Sequence, residues 1–207
     1  MDTRNSKFII YAVFAIAAVF PSPALSVPVQ PYTYGGDFDL PIVDKPGPGS
    51  EMTEAVIDVP DHFTIYDLDV RINITHTNVF DLQLFLKGPQ GPRICLNYFD
   101  FKDEFDIYPN YTDTIFDDES SISVEEGAAP FTGRFKPRGP GKLEDFNGMD
   151  AFGKWRLQIY DMYDWNYGTL DSFELIVSVP EPATALLLTI GIGLIRLRKP
   201  HRNRKNI

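Results

Sequence analysis

Cysteine is nearly missing from this chain. Cys95 is the one thiol in 207 residues, which excludes an internal disulfide framework. Histidine is almost as scarce, with three residues, His62, His76 and His201, so a histidine-rich metal or catalytic centre has little to draw on. No Gly-x-Ser-x-Gly, His-Glu-x-x-His or phosphate-loop spacing occurs, and neither His62 nor His76 stands in a triad motif. The expectation is a protein that is not an enzyme. Long amphipathic helical patterns are missing too. Basic residues are few in the body of the chain: residues 27–178 hold 27 Asp and Glu against 11 Lys and Arg. A domain so acidic repels nucleic acid and anionic surfaces and attracts cations.

What is plentiful is Pro (17), Gly (15) and aromatic residues (14%), a composition of many turns between short strands. The clearest stretch is Gly153 to Val177. Trp155, Leu157 and Ile159 alternate with Lys154, Arg156, Gln158 and Tyr160; later Phe173, Leu175 and Val177 alternate with Glu174, Ile176 and Ser178. A period of two puts one apolar face inward and one wet face outward. The five apolar residues Trp155, Leu157, Ile159, Phe173 and Leu175 are the expected centre of the core. Asp161 to Thr169 reads as a long loop between the two strands, with Gly168 as its positive-φ residue. Upstream, Ala55, Ile57 and Val59, then Leu68, Val70, Ile72 and Ile74, then Leu82, Leu84 and Leu86 show the same alternation, and Gly88-Pro89-Gln90-Gly91-Pro92 breaks it. The pattern predicts an all-β domain over 51–178, a β-sandwich or jelly roll. Residues 27–50, rich in Pro and Gly, read as a tether with some extended structure.

The two ends read as addresses. Arg4 and Lys7 precede the apolar run Phe8 to Phe20, and Ala24-Leu25-Ser26 offers small residues at a cleavage site, so 1–26 is expected to be a secretory signal peptide. At the other end, Pro180-Glu181-Pro182 leads into the apolar stretch Thr184 to Leu197 and then six bases between Arg196 and Lys205. Residues 179–207 resemble the PEP-CTERM sorting signal of Gram-negative bacteria. That resemblance implies a short hydrophobic helix that anchors transiently in the inner membrane, an exosortase-type processing enzyme as partner, and a destination at the cell surface or beyond it. The apolar stretch is short for a stable bilayer span.

Between these signals, the order of motifs resembles the P domain (P/Homo B) that follows the subtilisin-like catalytic domain in proprotein convertases. Gly153-x-Trp155-x-Leu157-x-Ile159-x-Asp161 and Gly168-x-Leu170-x-x-Phe173-x-Leu175 carry its end. Val70 to Thr77, Asp81 to Leu86 and Gly88-Pro89-Gln90-Gly91 carry its early strand pair, and Asp113 to Glu119 its central acidic motif. The resemblance covers about residues 40–178. It implies a jelly-roll β-sandwich of about eight strands and an accessory, non-catalytic module.

Two sets of residues are candidates for a site. The acidic belt from Asp100 to Glu126 suits calcium, which takes six to eight hard oxygens from flexible loops. Asp113, Asp117 and Asp118 are the expected ligands, with Asp161 and Asp164 approaching from the last loop; the alternative is a solvated acidic surface. His76, just past a strand, is expected to hold a loop by hydrogen bonds. The function expected from all this is an exported, non-catalytic P-domain protein with a structural or adhesive role, its partner an extracellular polysaccharide or a protease. Two alternatives stand beside it: an accessory module that docks on and stabilises a separate subtilisin-like protease, and a carbohydrate-binding module.

Overall fold

The structure is a computed structural model that describes residues 29–44, 52–98 and 107–180. Nine strands run in order: β1 (Val29–Pro41), β2 (Thr53–Val59), β3 (Asp67–His76), β4 (Leu82–Lys87), β5 (Arg93–Asn97), β6 (Tyr111–Phe116), β7 (Gly133–Phe135), β8 (Gly153–Asp161) and β9 (Gly168–Pro180). They form two sheets, one in the order β1-β9-β3-β6-β7 and one in the order β2-β8-β4-β5. Neighbours are antiparallel except β6 and β7, which are parallel. The described residues contain three short 3-10 turns and no α-helix. None of their helices is long and apolar enough to cross a membrane. Residues 1–26, expected as a signal peptide, together with Glu181, Pro182 and the C-terminal apolar stretch, lie outside the described residues.

The alternation in the sequence is what makes the two layers face each other. Trp155, Leu157 and Ile159 of β8, Leu82, Leu84 and Leu86 of β4, Val70, Ile72 and Ile74 of β3, and Phe173, Leu175 and Val177 of β9 are all buried in one core. Each such side chain taken out of water contributes about 1.5–3 kcal/mol. Trp155 also satisfies its one polar group: its indole N–H donates to the carbonyl of Ala151 at 2.8 Å. Leu170 and Phe173 are both buried although three positions apart, which strict alternation forbids. The register explains it: Asn73 lies opposite Ser172 and Ile74 opposite Leu170, so Asp171 is a bulge that resets the face.

The segment expected as a tether is different. Val29–Pro41 is an edge strand that pairs with β9 along its whole length, from Val29 opposite Pro180 to Pro41 opposite Thr169. Two prolines and two glycines disguise it, but an edge strand tolerates proline because one row of its N–H groups faces away from the sheet. Gly35 is required here: a Cβ on it would meet the carbonyl oxygen of Phe173 at 2.1 Å. With β1 the sandwich has nine strands, where about eight were expected.

One end of the sandwich gathers the turn after β3, the start of β6, and the loop from β8 to β9. Residues 85 to 90 positions apart in sequence meet there.

Candidate binding surface

His76 ends β3 and Asp161 ends β8, and the two meet inside the protein. The Nε2 of His76 lies 3.0 Å from an Asp161 carboxylate oxygen, and both side chains have 0% exposure. The other ring nitrogen faces the backbone of Asn78, 2.9 Å from its carbonyl oxygen and 3.1 Å from its nitrogen. No substrate reaches groups so enclosed, so the pair positions the chain around it. Sequence reasoning foresaw the loop-holding role of His76 but placed Asp161 among metal ligands.

Asp81, in the 3-10 turn Val79–Asp81, extends the network. Its oxygens accept from the side-chain amides of Asn166 at 2.6 Å and Asn78 at 3.3 Å, and its carbonyl accepts from the N–H of Met162 at 2.9 Å. Burial, and then the charge of Asp161 beside it, push the Asp81 carboxyl up to about 6. Thr77 closes the base: its hydroxyl donates to the Asn166 side chain at 2.8 Å and accepts from the N–H of Tyr167 at 3.2 Å. Gly168 sits where β9 begins, and a Cβ there would lie 2.2 Å from the Thr75 carbonyl and 2.5 Å from the His76 ring. Close approach, rather than the positive φ expected from the sequence, is what requires glycine. The positive φ of this loop belongs to Trp165, at +81°. A bulky residue in that region costs of order 1–3 kcal/mol, a cost that clusters at functional sites.

That strained residue is 91% exposed, and Tyr167 is 71% exposed. Ile107, from the segment before β6, is 75% exposed. Ile107, Pro109 and Tyr167, with Thr75, Thr77 and Thr169, line an open and mostly apolar groove of about 600 Å³. Aromatic tips on a hydrogen-bonded loop are the arrangement of a contact surface, because they present a large apolar area to a partner.

The five carboxylates named from the sequence lead to different partners. Asp113 pairs with Arg71 at 3.2 Å, and its N–H donates to Asn73. Asp117 accepts from Arg134 at 2.6 Å, and the same guanidinium nitrogen donates to Asp69 at 2.7 Å. Burial opposes ionisation of Asp117, but Arg134 and the N–H of Glu119 outweigh it and hold the carboxyl below its usual range. For Asp69 burial wins over Arg134 and lifts the carboxyl to about 6. Asp118 accepts from the N–H of Glu144 at 2.8 Å. Asp161 is under His76, and Asp164 is exposed on the aromatic loop. Among the described residues no three His, Cys, Asp or Glu side chains are placed to hold a metal ion.

Comparisons with known proteins bear on the whole domain. The profile of the family described as the proprotein convertase P-domain matches residues 65–177, more than half of the chain. Among solved structures, the serine protease of Aeromonas sobria is similar at 19% identity and a TM-score of 0.44, over 78% of this chain and 28% of that one. The complex of that protease with its chaperone gives 18% identity and a TM-score of 0.45, over 74% of this chain and 27% of that one. The Gt strain structure of infectious bursal disease virus gives 12% identity and a TM-score of 0.23, over 88% of this chain and 52% of that one. This chain thus spans little more than a quarter of the length of the protease chains it resembles. No curated protein matches.

Proposed function

This chain belongs to the proprotein convertase P-domain family, and on that premise we propose that it is an exported, non-catalytic binding module with a structural or adhesive role outside the cell. The observation that carries the reading is the loop between β8 and β9, where Trp165 and Tyr167 stand exposed above hydrogen bonds that run from the buried His76–Asp161 pair through buried Asp81 and half-buried Asn166 to Thr77 at the surface. A catalytic site needs its polar groups open to substrate; here His76 and Asp161 are enclosed, and the largest exposed side chains are Trp165, Ile107 and Tyr167. Export rests on the two ends: the charged and apolar start of the chain, and the Pro180-Glu181-Pro182, apolar, basic order of its tail. By that order an exosortase-type enzyme removes the tail after a transient stay in the inner membrane.

A second reading is favoured by the groove itself. An apolar cleft bordered by Ile107, Pro109 and Tyr167 suits a protein segment, and the family supplies the partner class, a separately encoded subtilisin-like protease that the module would dock on and stabilise.

The test is to express the full chain in a Gram-negative host that carries an exosortase, and to follow it by intact mass and by its share in the extracellular material. The exported form is expected to begin near Val27 and to lack Leu186 to Ile195. The double change Trp165→Ser with Tyr167→Ser is expected to leave the processing sites and the melting temperature unchanged and to lower retention. A mass that keeps the apolar tail overturns the sorting, and equal retention of the variant overturns the role of the loop.

A further inference from the structure

The charges of this domain are sorted by place. No Lys or Arg occurs in residues 72–86, 107–133 or 157–180, the segments that build the aromatic end. At its surface that end carries Asp164 and Asp171, over the buried Asp81 and Asp161, and among the described residues the cation beside it, Arg71, is held between Asp113 and Glu174. The outer face of the β2-β8-β4-β5 sheet is the reverse. Arg93 lies opposite Lys87 and Lys87 opposite Arg156, so three bases stand in one row across three strands about 4.8 Å apart. Like charges directly across a sheet repel and destabilise it. Glu54 relieves Arg156, but Lys87 meets the carbonyl of Gly91, and Arg93 meets the Gln158 side chain and the rings of Phe85 and Tyr160, 3.6 and 5.4 Å from its guanidinium carbon, with no carboxylate against either among the described residues. Phe85 and Tyr160 frame the row. A strained, exposed aromatic end with no Lys or Arg among its described residues, and a row of bases, Arg93 exposed and Lys87 and Arg156 half-buried, beside two aromatic rings, are complementary in charge and in chemistry.

We propose that the aromatic end of one molecule docks on the basic row of a second copy. The two surfaces are different patches of one chain, so the contact is head to tail. A symmetric contact would set acid on acid or base on base, which the net charge of −10 already disfavours. A head-to-tail contact leaves one end free at each addition and grows an open chain. This inference rests on the binding-module reading and names the partner as the protein itself; an open-ended polymer is also what a structural role outside the cell uses. On binding, Trp165 and Tyr167 lose water against the stems and rings of the row, and a guanidinium over an aromatic face adds cation–π attraction.

Sedimentation velocity of the exported protein, purified as its host processes it, tests the proposal. The wild type is expected to give a series of species that lengthens with concentration and reaches no fixed stoichiometry. The head variant, Trp165→Ser with Tyr167→Ser, and the tail variant, Lys87→Glu with Arg93→Glu, are each expected to be monomers of unchanged melting temperature. Mixed in equal amounts, they are expected to form a heterodimer and stop there, because each retains one working surface; that heterodimer also shows that both variants fold. A wild type that stays monomeric up to about 1 mM, the weak limit of specific association, overturns the proposal. So does a closed dimer that survives either variant, or a mixture that yields no heterodimer. A monomeric wild type whose head variant still loses retention in the extracellular material overturns self-docking alone and leaves the binding-module reading standing.

Discussion

At the scale of single residues, the buried pair of His76 and Asp161 fixes the aromatic end. Replacing His76 by Ala leaves a wholly buried carboxylate with one of its partners gone, so the cost is expected to be about 3 kcal/mol. Urea denaturation reads it, and a loss under about 1 kcal/mol would show that the pair does not hold this end of the sandwich. The neighbouring Asp81 sets a pH dependence. Its folded-state value, about 6, is raised above the unfolded value near 4, so the protonated form is the one folding favours. Its stabilising effect is present below pH 4 and is lost as pH rises through 6. Asp69, also lifted to about 6, acts in the same direction, and Asp117, held low, loses its contribution only at more acid pH. Unfolding free energy measured from pH 4 to 7 should therefore show a downward component that Asp81→Asn makes shallower. An unchanged slope would mean that Asp81 is not desolvated as the geometry has it.

At the scale of elements, the sandwich depends on β8, which lies between β2 and β4 and carries Trp155 against Phe146, their rings 4.9 Å apart. Trp155→Ala should cost about 3–5 kcal/mol, a large share of a typical domain's stability. Equilibrium denaturation decides, and a loss under about 1 kcal/mol would contradict the burial. The loss of β1 acts differently. Removing residues up to Pro41 leaves β9, with its unpaired backbone groups, as an open edge, and exposed long edges recruit other strands. The truncated chain should aggregate at concentrations where the intact one does not, as light scattering would show. If it stays dispersed at equal concentration, β1 is dispensable as a cover.

At the scale of the whole molecule, the acidic body is self-repelling, so sodium chloride should raise the melting temperature by screening. Calcium was expected from the acidic belt. Asp117 is engaged by Arg134 and Asp113 by Arg71, so a cation must displace a guanidinium to reach them. Asp100 to Asp106 of the belt lie outside the described residues; at the carboxylates described, Arg134→Gln is expected to raise the calcium response of the melting temperature above that of the wild type, with sodium at equal ionic strength as the reference. An equal calcium response in the wild type and in Arg134→Gln would show that Arg134 does not keep a cation from Asp117.

The sequence by itself determined the class of fold and most of the strands, because a period of two is a local property. The alternation in β3, β4, β8 and β9 needs only neighbours along the chain to be read. The family was legible for a related reason, since its motifs lie on those strands in order. Tertiary structure decided the rest. The local mark of Val29–Pro41 as a strand is weak: Tyr32, Tyr34, Phe38 and Leu40 alternate with Thr33, Gly35, Asp37 and Asp39, but Tyr34, Phe38 and Leu40 are only half-buried, and the prolines and glycines resemble a linker. Nothing local says that Asp161 would lie under His76, 85 residues away, while Asp117 would meet Arg134 and Asp69. A carboxylate has the same charge whether it faces water, a base or a metal. Which of these it meets is set by how distant strands register, and that follows from packing the whole core at once.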